Sequence, residues 1–216
     1  YLEIHVPIDS AKELDLLIRA RYPFLFVVSH EEQRVMEALR RSAKRRNRGF
    51  HRWTLTKGFT DIRLEEPEAD TAAPEAALRN LKERMVYAFC DLDDLFYLNT
   101  QRTVKDFRLL RLLRDRVPWL KKAGTTIVII SSAMDIPAEI EKDVMVVDFS
   151  CPGRNEIGDS LKGVLQGAAQ RRRQPFSDPD EQLLSAVCAA GQGLARSEFE
   201  RAVARSLVEH RSVSDA

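Results

Sequence analysis

The sequence predicts a doubly wound α/β core followed by a small all-helical region, and three observations carry that expectation. Five apolar runs of strand length alternate with helical patterns over residues 1–150, the arrangement that produces a parallel sheet covered on both faces. After Cys151-Pro152-Gly153 the β signal stops, and residues 151–216 show helical patterns alone. With 216 residues, 44% hydrophobic and 31% charged, the chain has the length and composition for one large domain, or a core with a satellite, that buries most of its apolar surface.

The elements follow in order. Leu14, Leu17 and Ile18 lie at helical spacing, and the pattern ends at Tyr22-Pro23 because proline disfavours helical geometry in the residue before it. Phe24 to Val28 is a continuous apolar run, as expected for a strand buried on both faces. Ser29-His30-Glu31-Glu32 has capping-box spacing and opens a helix with Val35, Met36 and Leu39 on one face. Trp53 to Thr56 reads as the second strand. Lys57 to Pro74 contains Gly58, Pro67 and Pro74 and is the longest expected loop. A helix around Ala76 to Glu83 leads to the third strand, Met85 to Cys90. Thr103 to Lys122 is a long amphipathic helix with Phe107, Leu110 and Leu113 inward and Arg108, Arg111 and Arg114 outward. Gly124 ends it, Thr126 to Ile130 is the fourth strand, a short helix spans Pro137 to Glu141, and Val144 to Phe149 is the fifth strand. Gln174-Pro175 and Gly191-Gln192-Gly193 divide the helical remainder.

Composition excludes several function classes. The 34 basic and 33 acidic residues leave a net charge of +1, which argues against a strongly basic nucleic-acid-binding protein. The excess of 25 arginines over 9 lysines is read as a compositional bias. Cys90, Cys151 and Cys188 lack zinc-type spacing and are expected to be buried free thiols. No apolar run reaches the roughly 18 residues of a membrane span, and the first residues do not resemble a signal peptide. A cytoplasmic protein without a membrane partner is expected, and the start at Tyr1 suggests a fragment.

The residues narrow the family. Leu16-Leu17-Ile18-Arg19-Ala20-Arg21-Tyr22-Pro23, then Glu31-Glu32-Gln33-Arg34-Val35 and Trp53-Thr54-Leu55-Thr56, resemble the opening of one branch of the AAA+ ATPases. That branch is the tandem AAA+ ATPases known as a hypothetical chloroplast reading frame, found in plastids and many bacteria. Thr126 to Ser132, Ile136-Pro137 to Glu141-Lys142, Val147-Asp148-Phe149 and Pro152 to Ile157 are similar to the later part of the same domain. Ser197 to Ala202 extends the similarity into the helical lid. The resemblance implies a five-stranded AAA+ core with a lid, forming the degenerate first module of a tandem protein whose second module carries the ATPase motifs.

Each catalytic element can be tested against its chemistry. A P-loop requires Gly-x-x-x-x-Gly-Lys-Ser/Thr after the first strand, whereas Ser29-His30-Glu31-Glu32-Gln33-Arg34 has neither Gly nor Lys. Ser29 and Glu32 are expected to cap the helix from within, and Glu31 and Glu32 to repel a triphosphate. The Walker-B-like segment keeps Asp91 and Asp93 but has Leu92 where the resemblance implies a catalytic Glu. Those carboxylates either attract a hard cation or act as caps and solvated acids. Ser131 or Ser132 matches the sensor-1 position. The segment from Asp135 to Asp143 contains no arginine to serve as a finger. Phe59, after Lys57-Gly58, is either a substrate-gripping pore-loop aromatic or an anchor to the core.

No catalytic or metal-ligating residue is therefore expected, and no cofactor in this segment; ATP and Mg²⁺ are assigned to the parent's active module. The expected partners are that module, further copies of the chain in an oligomeric ring, and a client protein. One alternative is a standalone interaction module that binds nucleic acid through Arg40, Arg41, Lys44, Arg45, Arg46 and Arg48 or through Arg171-Arg172-Arg173. A weaker one resembles the haloacid-dehalogenase phosphatases, with Asp91 as nucleophile, Asp93 as acid/base, and Ser131 or Ser132, Lys142 and Asp148 in support.

Overall fold

The computed structural model describes residues 9–61, 66–172 and 181–210. The chain divides into two compact units, Tyr1–Phe149 and Ser150–Ala216.

In the first unit the chain alternates α1 (Ser10–Arg19), β1 (Phe24–Val28), α2 (Glu32–Arg45), β2 (Gly49–Thr54), β3 (Gly58–Asp61), α3 (Pro74–Arg79), β4 (Met85–Cys90), α4 (Phe107–Ala123), β5 (Thr126–Ser131) and β6 (Val144–Asp148). The strands form one sheet in the order β3-β2-β4-β5-β1-β6. All neighbouring pairs are parallel except β2 with β3. The fold class is the expected one, with six strands in place of five.

The sixth strand arises within the segment expected to be a loop. Gly58 adopts φ +68°, and a Cβ there would lie 2.5 Å from the Thr71 hydroxyl and 2.7 Å from its backbone, so only glycine fits the entry to β3. The Trp53 indole N–H donates to the Thr71 carbonyl at 2.7 Å, and the Phe59 N–H donates to the Thr71 hydroxyl at 2.8 Å. Phe59 is fully buried, with its ring 4.7 Å from that of Tyr87 and 5.5 Å from that of Phe89. It anchors the hairpin. Its placement overturns the pore-loop alternative, because a sealed ring cannot grip a polymer.

Two apolar layers sandwich the sheet. Phe24, Phe26, Trp53, Phe59, Tyr87 and Phe89 pack with Leu109, Leu110, Leu113 and Leu120 of α4 on one side. Leu14 and Ile18 of α1 and Val35, Met36 and Leu39 of α2 cover the other. Gly124 caps α4 at φ +63° as its sequence position predicts. Phe107, expected inside, is 65% exposed, because α4 begins at this residue rather than four positions earlier and Asp106 is its N-cap. Asp106 accepts from the N–H groups of Arg108 and Leu109. Pro137 to Glu141 forms a turn before a 3₁₀ segment at Glu141–Asp143.

The second unit contains α5 (Arg154–Arg172), α6 (Glu181–Ala190) and α7 (Arg196–His210). Ile157, Leu161, Cys188, Phe199, Val203 and Leu207 form its core. Gly191-Gln192-Gly193 separates α6 from α7, as the glycine spacing predicts. Gln174-Pro175 and Arg173 lie outside the described residues, as do the side chains of Arg171 and Arg172. Cys90 and Cys188 are buried, but Cys151 is exposed, so the expectation of a buried thiol fails there. Among the described residues, no helix is long and apolar enough to cross a membrane.

Candidate functional site

Ligands of open α/β sheets bind beyond the carboxyl ends of the strands, where the strand order reverses. Here that place is the end of β1 and β5. The Ser29 N–H donates to the Ser131 carbonyl at 2.9 Å, and the Asp91 N–H donates to the Ile130 carbonyl at 2.9 Å. The ends of β1, β5 and β4 are thereby tied together, and the sequence-predicted residues Ser29, Glu31, Glu32, Asp91, Asp93 and Ser131 are gathered in one region.

The phosphate position is built differently from the expected capping box. Ser29 lies two residues before the N-cap, Glu31, whose side chain makes no cap bond. The Ser29 hydroxyl instead accepts from the Glu31 N–H at 3.0 Å, a local turn that competes with helix formation and delays the start of α2. Arg34 donates to the Glu31 carboxylate at 2.6 Å, and both side chains are nearly sealed, at 8% and 9% exposure. The Arg34 guanidinium also lies 4.7 Å from the centre of the Phe149 ring. A protein carboxylate and its own arginine thus stand beside the helix start.

Across from it, Asp93 is 1% exposed. The Ser131 hydroxyl donates to its Oδ2 at 2.9 Å, while its Oδ1 is buried without a hydrogen-bond partner among the described residues. Arg102 reaches Asp93 at 3.3 Å, Asp94 at 2.9 Å and Asp135 at 3.4 Å. Burial pushes the Asp93 carboxyl above its usual range, against the opposing hydrogen bonds from Ser131 and Arg102. Asp91 is also raised, by burial first and then by the charges of Glu32 and Asp94. The Cys90 thiol is raised by burial and by Glu32. Acidic groups therefore crowd this end of the sheet, and the nearest cation is a side chain of the same protein.

Arg102 carries no sequence signal that marks it as part of the site. It sits in a loop at φ 54°, held there because the Asn99 carboxamide oxygen accepts from the N–H groups of Thr103 and Val104. The Asn99-x-x-x-Thr103 spacing, with Asn99 Nδ2 also donating to the Thr103 hydroxyl at 2.7 Å, is the one local hint that the loop turns back. Leu92 is fully buried, so this position supplies core packing. Ser132 is exposed, and Ser131 is the serine that joins the cluster. Asp148 lies two strands from Ser131, with Val28 between them, and the phosphatase-like constellation does not assemble. Among the described residues, no group of three or more His, Cys, Asp or Glu side chains is arranged to hold a metal.

A second cleft of about 620 Å³ lies between the outer face of α2 and the β2–β3 hairpin, lined by Glu32, Gln33, Met36, Glu37, Arg40, Arg52, Lys57 and Thr60.

Residues 10–149 match the family model described as SpoVK-like AAA ATPase, N-terminal domain. The chain belongs to this family. Among curated relatives of this family member, the AAA domain-containing protein ycf46 of Trieres chinensis is 28% identical over 207 residues, covering 94% of this chain and 39% of the relative. The ycf46 protein of Guillardia theta is 26% identical over 213 residues, covering 94% and 38%. The chain thus spans less than two-fifths of the length of these relatives. Among solved structures, C. elegans PCH-2 superposes with a TM-score of 0.56 at 9% identity, covering 92% of this chain and 61% of that one. The FIGL-1 AAA domain in complex with ADP gives 0.55 at 11% identity, covering 95% and 68%. A chain of the E. coli MS115-1 HORMA:CdnC:Trip13 complex gives 0.51 at 10%, covering 94% and 74%. These likenesses establish an AAA-type fold.

Proposed function

We propose that this chain is a non-hydrolysing AAA module that serves as the architectural or regulatory part of a longer cytoplasmic ATPase. The observation that carries this reading is the internal neutralisation of the site. Arg102 contacts the acidic group that would meet a hydrated Mg²⁺, and the Glu31–Arg34 pair stands at the start of α2, the segment a P-loop would occupy in sequence. Phosphoryl transfer depends on positioning and on stabilising negative charge. Two carboxylates at a helix start, no P-loop lysine and a buried leucine in the place of a catalytic glutamate supply the reverse.

ATP and Mg²⁺ would then be bound by a second module beyond this chain, for which relatives of more than twice this length have room. The proposed partners are that module, further copies of the chain in an oligomer, and a client protein. Calorimetric titration of the 216-residue chain with MgATP is expected to show no saturable heat. Micromolar binding that Asp93→Asn abolishes would sink the proposal.

A further inference from the structure

The opposite end of the sheet carries a charge pattern that this function does not use. Three connections meet there: the α1–β1 loop with Arg21, the α2–β2 loop with Arg46 and Arg48, and the residue before β4, Arg84. The Gly49 N–H donates to the Arg84 carbonyl at 3.1 Å, and Gly49 pairs with Met85 in the parallel register of β2 and β4, so Arg48 and Arg84 are neighbours. Asp15 ties Arg46 to α1 at 2.6 Å and also accepts from Ser42, so that carboxylate is engaged.

Arg48 combines an orphaned nitrogen with like-charged neighbours. Its Nη1 is buried without a hydrogen-bond partner among the described residues. Burial pulls its proton affinity down, and the charges acting on it, Arg21, Arg84 and Arg46, are all positive. Cations near helix ends commonly complement the dipole, and that accounts for Lys44 and Arg45 in the last turn of α2. It does not account for Arg84, since the preceding helix α3 ends at Arg79, nor for a sealed donor on Arg48. Arg21 and Arg84 also occupy positive φ, at 61° and 56°, a region that favours glycine or asparagine. Arginine stands at two positions that disfavour its backbone and lie among like charges.

We propose that Arg21, Arg48 and Arg84 form an anion site for a phosphate group. Guanidinium forks match phosphate oxygens in pairs, and a bound dianion would supply the acceptor that Arg48 Nη1 lacks while relieving the repulsion among the three arginines. The phosphate could belong to a nucleic-acid backbone or to a free phosphorylated compound. Tyr22, 37% exposed beside Arg21, offers a ring on which a base could stack.

The test uses the whole chain with two probes, sodium pyrophosphate by calorimetry and a labelled single-stranded RNA by anisotropy, both without Mg²⁺. Saturable binding of either probe is expected, weakened about tenfold by Arg48→Gln, the loss of one charge-assisted contact. The exposed changes Arg21→Gln and Arg84→Gln should each weaken it as well, and these keep the test valid if Arg48→Gln fails to fold. Pyrophosphate binding alone assigns a free phosphate ligand. RNA binding whose salt slope falls by about one per arginine removed assigns a nucleic-acid backbone. No binding of either probe, binding indifferent to all three changes, or equal competition by polyglutamate would overturn the assignment. ATP heat that Arg48→Gln removes and Asp93→Asn spares belongs to this patch and leaves the non-hydrolysing reading intact.

Discussion

The two ends of the same sheet treat charge in opposite ways. At the carboxyl ends of the strands, Glu31 holds Arg34, and Asp93, Asp94 and Asp135 share Arg102. At the amino ends, Arg48 is half-buried among Arg21, Arg46 and Arg84, and the nearby carboxylate of Asp15 is engaged by Arg46 and Ser42. One end pairs opposite charges, and the other gathers like charges around a buried donor. At the carboxyl end most of the charge is paired within the chain, although Asp93 Oδ1 is buried without a hydrogen-bond partner among the described residues, whereas at the amino end a buried donor, Arg48 Nη1, lies among like charges.

The comparison can be broken most forcefully at Glu31. Glu31→Ala leaves Arg34 sealed without that carboxylate and should cost about 3 kcal/mol in urea unfolding, the usual penalty for one half of a buried pair. The double change Glu31→Met with Arg34→Met should recover most of that loss. A single change that costs nothing would mean the pair is not closed. Arg102→Ala comes next. It should cost about 1 kcal/mol at neutral pH, as expected for a partly exposed cation. That cost should shrink on acidification, because protonated Asp93 no longer needs a counter-charge.

At the other end, Arg48→Gln should be neutral or stabilising by a few tenths of a kcal/mol, since it removes like-charge repulsion and half of a desolvation cost. A loss above about 1 kcal/mol would place Arg48 among the structural arginines. The pH profile gives the smallest effect. His51 is 8% exposed, with Asp61 at 3.9 Å and Glu68 at 3.7 Å. Burial lowers it below its usual 6.5, although both carboxylates act to raise it. The unfolded chain therefore takes up this proton first, so stability should rise with pH up to about 6.5 and then level off. His51→Gln should flatten that rise. The raised carboxyls of Asp91 and Asp93 act in the opposite sense, favouring the folded state while protonated and withdrawing that support as pH climbs above their usual 3.8.

Much of the fold was legible from residue order. Runs such as Phe24 to Val28 and Thr126 to Ile130 are apolar at every position because both sheet faces are covered, and no other element of that length needs such a run. β3 was hidden because its four residues carry no alternation long enough to read, and its partner Thr71 lies ten positions beyond its end. The site was legible as residue types but not as bonds. Ser29 and Glu32 have the spacing of a capping box, yet the Ser29 hydroxyl turns to the Glu31 N–H and the helix begins later.

The sequence by itself determined the α/β class, the stop of the β pattern near Pro152 and the lack of a P-loop, because periodicity and motif chemistry are local properties of the chain. Tertiary packing, not residue order, brings Arg102 to Asp93, seals Phe59, and sets Arg48 next to Arg84 and among like charges. Those outcomes depend on loops that close over distance, and the side-chain charges that meet there are set by sheet register and turn geometry, which spacing along the chain does not encode.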